Sequence, residues 1–143
     1  MKPFLFVSLV FIDQITKYFF STNSDLYFNL GWVGLTRYHN SDFAFSLSFP
    51  TWLIYLIYLI VFTVIIWYIR THEVKKWENI GLHFIFAGAV SNIAERILNG
   101  SVIDFIILPF GGIWNLADFF IVIGILIILF KKDEQSSKDI LSV

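Results

Sequence analysis

Four apolar runs divide this chain, at residues 4–20, 51–69, 77–98 and 112–130. Each is close to the roughly 20 residues that an α-helix needs to cross a bilayer. Hydrocarbon offers no water to backbone N–H and C=O groups, so several such runs in one chain pack as helices whose backbone bonds close internally. Only 15% of the 143 residues are charged and 57% are hydrophobic, whereas a soluble domain carries about 25% charge. The expectation is an all-α membrane protein, residues 1–143 forming a single membrane domain with four transmembrane helices. No basic patch suggests nucleic acid. With no cysteine, disulfides and thiolate chemistry are excluded. The histidines His39, His72 and His83 lack metal-ligand spacing, so neither a metal nor another cofactor is expected.

The segments between the runs differ in character. The first run resembles the core of a signal peptide, but Asp13 and Lys17 interrupt it and no small-x-small cleavage site closes it. A retained helix is expected, with Asp13 and Lys17 four apart on one face as a structural pair. Residues 21–49 begin with turn-forming STNSD and continue with LYFNL and LTRYH around Gly31 and Gly34, which reads as a small outward β-rich segment. Tyr27, Trp32 and Tyr38 suit a water–lipid boundary. Pro50 opens the second run, where its missing N–H does no harm. Gly81, Ala87, Gly88 and Ser91 in the third run permit close approach of a neighbouring helix. A connector at 99–111 holds Asp104, and the polar tail at 131–143 is expected to be disordered apart from anchoring.

Orientation follows from the cations. Lys2, Arg70, Lys75, Lys76, Lys131, Lys132 and Lys138 make up seven of the ten Lys and Arg residues. Four spans place all of them on one side, which the positive-inside tendency makes cytoplasmic. Residues 21–49 and 99–111 then face outward, and both termini face the cytoplasm.

On this topology the polar residues of the spans converge. Asn92, Glu95 and Arg96 end the third helix; Asn115 and Asp118 begin the fourth; Asn40 and Asp104 come from the outward segments. An ionisable group at membrane depth marks function by default. Two carboxylates ~4 Å apart at an effective dielectric of ~20 repel by about 4 kcal/mol, roughly three pKa units, so one proton is shared. A shared proton is the arrangement of aspartic proteases. Plainer readings stand beside this one. Asp104 could be a helix cap or a surface carboxylate, Asp118 could pair with Arg96, and Arg96 could neutralise Glu95 or position a substrate backbone. Asn115 could orient an aspartate or bond across helices. His83 reads as a packed histidine.

The sequence resembles the lipoprotein signal peptidases, the type II signal peptidases of bacteria, in DQITK (13–17), HNSDFAFS (39–46), AGAVSNIAER (87–96), GSVIDF (100–105) and WNLADF (114–119). That resemblance implies four transmembrane helices with a small outward β-cradle and a short outward helix. It implies an aspartyl endopeptidase that removes the signal peptide from a diacylglyceryl-modified prolipoprotein on the amino side of the lipidated cysteine. By position, Asp104 and Asp118 would be catalytic. Asn40, Asn92, Glu95, Arg96 and Asn115 would support the site or bind substrate, and Asp13 with Lys17 would be structural. Membrane lipid and the prolipoprotein are the implied partners of a monomer in the cytoplasmic membrane, with its active site near the outer leaflet. Three positions depart from the family pattern: Asp42 and Ser91 stand where glycines are usual, and Glu95 where aspartate is usual. A catalytically impaired relative that binds lipidated or apolar helices is therefore the alternative. A proton-linked transporter is disfavoured, because only His83 continues a polar path inward.

Overall fold

The computed structural model describes residues 3–23, 25–41, 49–109 and 111–141; the departure at Asp42 lies outside them. Four helices form: α1 (Pro3–Thr22), α2 (Thr51–Thr71), α3 (Lys76–Asn99) and α4 (Leu116–Leu141). The first three match the apolar runs to within two residues at each end. α4 differs at both ends. The stretch before it turns at Gly111 and Gly112, whose φ angles of 95° and 82° favour glycine, and Ile113–Trp114 then pair as a strand. At the other end the helix continues through 131–141 instead of stopping at 130. That segment contains neither Gly nor Pro, and most of its residues are tolerant of helix.

α1 and α2 are long and apolar enough to cross a membrane, and α4 carries a shorter apolar stretch, Leu116–Phe130. α3 does not pass as a simple apolar run, because it turns Ser91, Asn92, Glu95, Arg96 and His83 inward. Burial inside the bundle is what lets this helix carry them. The outer faces are the reverse. Phe11, Ile15, Leu59 and Trp67 are exposed, as side chains that meet lipid would be.

α3 and α4 run antiparallel in close contact. Gly81 lies against Gly124 and Ile128, and Gly88 lies against the Ala117 carbonyl and Ile121. Small residues there let the backbones approach. α1 runs parallel to α3, with Phe6 beside Phe86 near one end (5.7 Å) and Lys17 beside Asn92 near the other. α2 runs back along α3, burying Ile54 and Tyr58 against Ala89.

The sheet takes strands from both connectors. β1 (Phe28–Asn29), β2 (Gly34–Asn40), β3 (Val102–Ile107) and β4 (Ile113–Trp114) pair antiparallel in that order. The segment holding Asp104 is thus a central strand, not a plain connector. No short outward helix occurs among the described residues. The sheet is seated on the end of α1: the Phe20 and Phe105 rings stack 4.3 Å apart within a cluster that includes Ile103. Arg37 Nη1 donates to the Ser21 carbonyl at 2.8 Å, using an acceptor that the helix end leaves unsatisfied.

A Cβ at Gly88 would collide with the Ala117 carbonyl, directly before Asp118. Gly88→Val is expected to cost about 1–3 kcal/mol by overpacking. Thermal unfolding in detergent should show a lowered midpoint, while Val64→Ala on the exposed face of α2 should leave it nearly unchanged.

Candidate active site

Asp104 lies on β3 opposite Tyr38, and Asn40 is two residues farther along β2. Alternate strand residues share a face, so the Asn40 amide reaches diagonally to Asp104 Oδ2 at 2.6 Å. The other oxygen, Oδ1, accepts from Asn115 Nδ2 at 2.5 Å.

Asn115 is also the residue from which α4 starts. Its Oδ1 accepts the Asp118 N–H at 3.0 Å, and Asp118 Oδ2 accepts the Asn115 N–H at 3.2 Å. This reciprocal pair is a capping box, with asparagine at the cap and aspartate three residues on. One asparagine therefore joins both acids. Asp118 Oδ1 accepts from Asn92 Nδ2 at 2.9 Å. With both oxygens engaged this way, the pairing of Asp118 with Arg96 that the sequence left open does not form.

Behind Asn92 is a buried cation. Lys17 Nζ donates to Asn92 Oδ1 at 2.8 Å and pairs with Asp13 at 2.9 Å and Glu95 at 3.1 Å. A lysine ammonium can only donate, so it holds the Asn92 carbonyl toward itself and leaves the amide N–H₂ for Asp118. Asp13 Oδ1 accepts the Ala117 N–H at 2.8 Å, a donor in the first turn of α4, and Oδ2 accepts the Ser91 hydroxyl at 2.6 Å. Glu95 Oε1 accepts the Ile103 N–H at 3.1 Å, tying α3 to the strand that carries Asp104. Lys17, not Arg96, neutralises Glu95.

Burial is near complete for most of the cluster, with exposed fractions of 0% for Asp13, 2% for Lys17, 2% for Asp104 and 1% for Asn115; Asp118 is partly buried. Two of the departures from the family pattern fall inside this network. Ser91 supplies a hydroxyl to Asp13 and accepts from Gln14 Nε2 at 2.8 Å. The longer Glu95 spans from Lys17 to β3.

Asp104 and Asp118 open onto a cavity of about 420 Å³. Its floor is α3 and its walls are α2 and α4, lined by Val61, Ile85, Ala89, Ile121 and Ile125. Its polar corner holds Asn40, Asn92, Arg96, Asp104, Asn115 and Asp118. Arg96 Nη1 donates to Tyr58 Oη at 3.0 Å. Burial pushes the Asp104 carboxyl up to about 6, with the neighbouring Asp118 charge adding to the effect; the Asn40 and Asn115 bonds and the Lys17 charge oppose it. A carboxyl held near 6 can keep a proton beside an ionised partner. That pair can activate water and polarise a carbonyl.

Eight of the nine residues singled out in the sequence thus meet in one network, and the ninth, Arg96, lines the same cavity beside it. Tyr58 and Gln14 were missed. A tyrosine in an apolar span reads as an interface anchor, and the only signal for Tyr58 was its spacing of three from Tyr55.

Four helices packed around a buried acid pair at the edge of an apolar cavity define a multi-pass membrane protein of the aspartic-hydrolase class. The family described as Signal peptidase (SPase) II matches residues 5–132, and the chain belongs to that family. The lipoprotein signal peptidase of Enterococcus faecalis is 31% identical over 141 residues, covering 92% of this chain and 88% of that protein. That of Staphylococcus aureus is 27% identical, covering 93% and 89%. A solved structure described as a bacterial membrane enzyme superposes with a TM-score of 0.83 at 27% identity, covering 95% of this chain and 89% of that one. A second with the same description gives 0.78 at 26% identity, covering 90% of each.

Removing Lys17 strands two buried carboxylates. Lys17→Met is expected to destabilise the protein by about 3–5 kcal/mol, and adding Glu95→Gln should recover part of that loss. Thermal unfolding of the two variants in detergent checks both statements.

Proposed function

We propose that Asp104 and Asp118 are the catalytic pair with which this aspartyl endopeptidase removes signal peptides from diacylglyceryl-modified prolipoproteins. Cleavage falls on the amino side of the lipid-bearing cysteine. The observation that carries this reading is the double grip of Asn115, which holds both acids at the same corner of an apolar cavity. The acid pair shares one proton. Its ionised member takes a proton from water, whose oxygen attacks the scissile carbonyl, while the neutral member donates a hydrogen bond to the carbonyl oxygen. Collapse of the tetrahedral intermediate breaks the C–N bond, and the leaving amine receives a proton from the pair. Asn40, Asn92 and Asn115 hold the carboxylates in register, and the Asp13–Lys17 pair anchors the start of α4 beneath them.

The substrate's apolar chains enter sideways from lipid between α2 and α4, so the protein works as a monomer in the cytoplasmic membrane. Both termini are cytoplasmic. The sheet and the acid pair lie toward the outer leaflet, in keeping with the distribution of Lys and Arg.

Asp104→Asn and Asp118→Asn each keep one accepting oxygen and turn the other into an N–H₂ donor, so thermal unfolding in detergent is measured beside activity to show that both variants fold. Each is expected to cut the cleavage rate by roughly a thousandfold, as loss of acid–base chemistry does. The test is reconstitution with a diacylglyceryl-modified precursor peptide; unimpaired cleavage by either variant would sink the assignment.

The pH dependence has a definite sign. Asp104 holds its proton below about 6 and loses it above, so kcat/KM should fall as pH rises through that value. Asn40→Ala removes a bond that favours the ionised form. The alkaline limb should therefore move to higher pH, as rate–pH profiles of the two proteins would show.

A further inference from the structure

α2 is almost purely apolar, yet it reaches the polar corner of the cavity at one point. Tyr55 and Tyr58 lie three residues apart, on one face of the helix. Tyr55 Oη donates to the Arg96 carbonyl at 3.4 Å, and Tyr58 Oη accepts from Arg96 Nη1 at 3.0 Å. The same carbonyl accepts the Gly100 N–H at 2.9 Å, where α3 ends. Backbone and side chain of Arg96 are thus both gripped from α2. Tyr58 and Arg96 are buried, and both line the cavity that holds Asp104 and Asp118.

We propose that Tyr58 is a positioning residue for peptide cleavage: it holds the Arg96 guanidinium in the cavity wall, ready to receive backbone carbonyls of the substrate beside the scissile bond. The proposal rests on the peptidase reading above. A signal peptide that crosses the membrane as a helix must unwind where it is cut, and each carbonyl so released needs a donor in a site without bulk water. A guanidinium presents several N–H groups in one plane and suits that task. Its long side chain loses affinity unless it is ordered before the substrate arrives. The ring of Tyr58 already packs among Ile54, Ala89 and Phe62, and phenylalanine would do that equally well. The hydroxyl adds the bond to Arg96.

The test compares wild type, Tyr58→Phe, Arg96→Met and the double variant as full-length protein in nanodiscs, cleaving a synthetic diacylglyceryl-modified precursor peptide. Losing one charge-assisted hydrogen bond should raise KM about tenfold. kcat should stay within about twofold of wild type, with the pH profile unchanged. Arg96→Met keeps the apolar stem, and in that background Tyr58→Phe should have no further effect on KM. An unchanged KM in Tyr58→Phe, a loss confined to kcat, or an equal effect in both arginine backgrounds overturns the proposal. Should Arg96→Met fail to fold, the KM and kcat of Tyr58→Phe alone decide. A wild-type protein that leaves the peptide intact overturns the peptidase reading itself, whereas cleavage by wild type and Tyr58→Phe with equal KM overturns this inference alone.

Discussion

A single buried ammonium holds the centre of this protein together. Lys17 is surrounded by Asp13, Glu95 and Asn92, and each leads to a different part of the fold. Asp13 leads to the first turn of α4, Glu95 to β3, and Asn92 to Asp118. In a low-dielectric interior, a charge taken from water must find partners of good geometry, and each partner must in turn be satisfied. That requirement restricts how α1, α3, α4 and the sheet can be placed relative to one another. The apolar surfaces alone would tolerate many rotations of these helices, since lipid is as apolar as their side chains.

The start of α4 shows how the requirement becomes geometry. It lies inside the bundle, level with the middle of α1, where free N–H donors would be costly. Asp13 takes one of these donors, and the exchange between Asn115 and Asp118 takes others. The acid of the proposed pair that lies in a span is thus also part of a helix cap. Asp104 sits on a strand instead, and burial pushes its carboxyl up to about 6.

The two halves of the cavity divide the work. The aliphatic wall built by α2, α3 and α4 suits a lipidated, apolar substrate, and the polar corner under the sheet is confined to a few side chains. Because α3 turns its polar face toward α1 and the cavity, the outward faces remain apolar and compatible with lipid. Ser91 and Glu95, two positions at odds with the usual pattern of the family, keep their places in the network by forming bonds of their own.

The number of spans, their boundaries to within a residue or two for three of the four, and the pairing of Asp13 with Lys17 were legible in the sequence. Bilayer length and helical spacing are local properties, so neighbouring residues suffice to state them. The meeting of Asn40, Asp104, Asn115 and Asp118 was legible only through the depth of each in its span and the motifs they share with a family. The strand character of 102–107 was hidden, because the strand that pairs along most of its length lies more than 60 residues earlier in the chain. The choice of Lys17 over Arg96 as the partner of Glu95, and the reach of Tyr58 to Arg96, also required the tertiary structure. Several cations and hydroxyls could serve each carboxylate by type, and only the relative rotation of packed helices decides which one arrives within bonding distance.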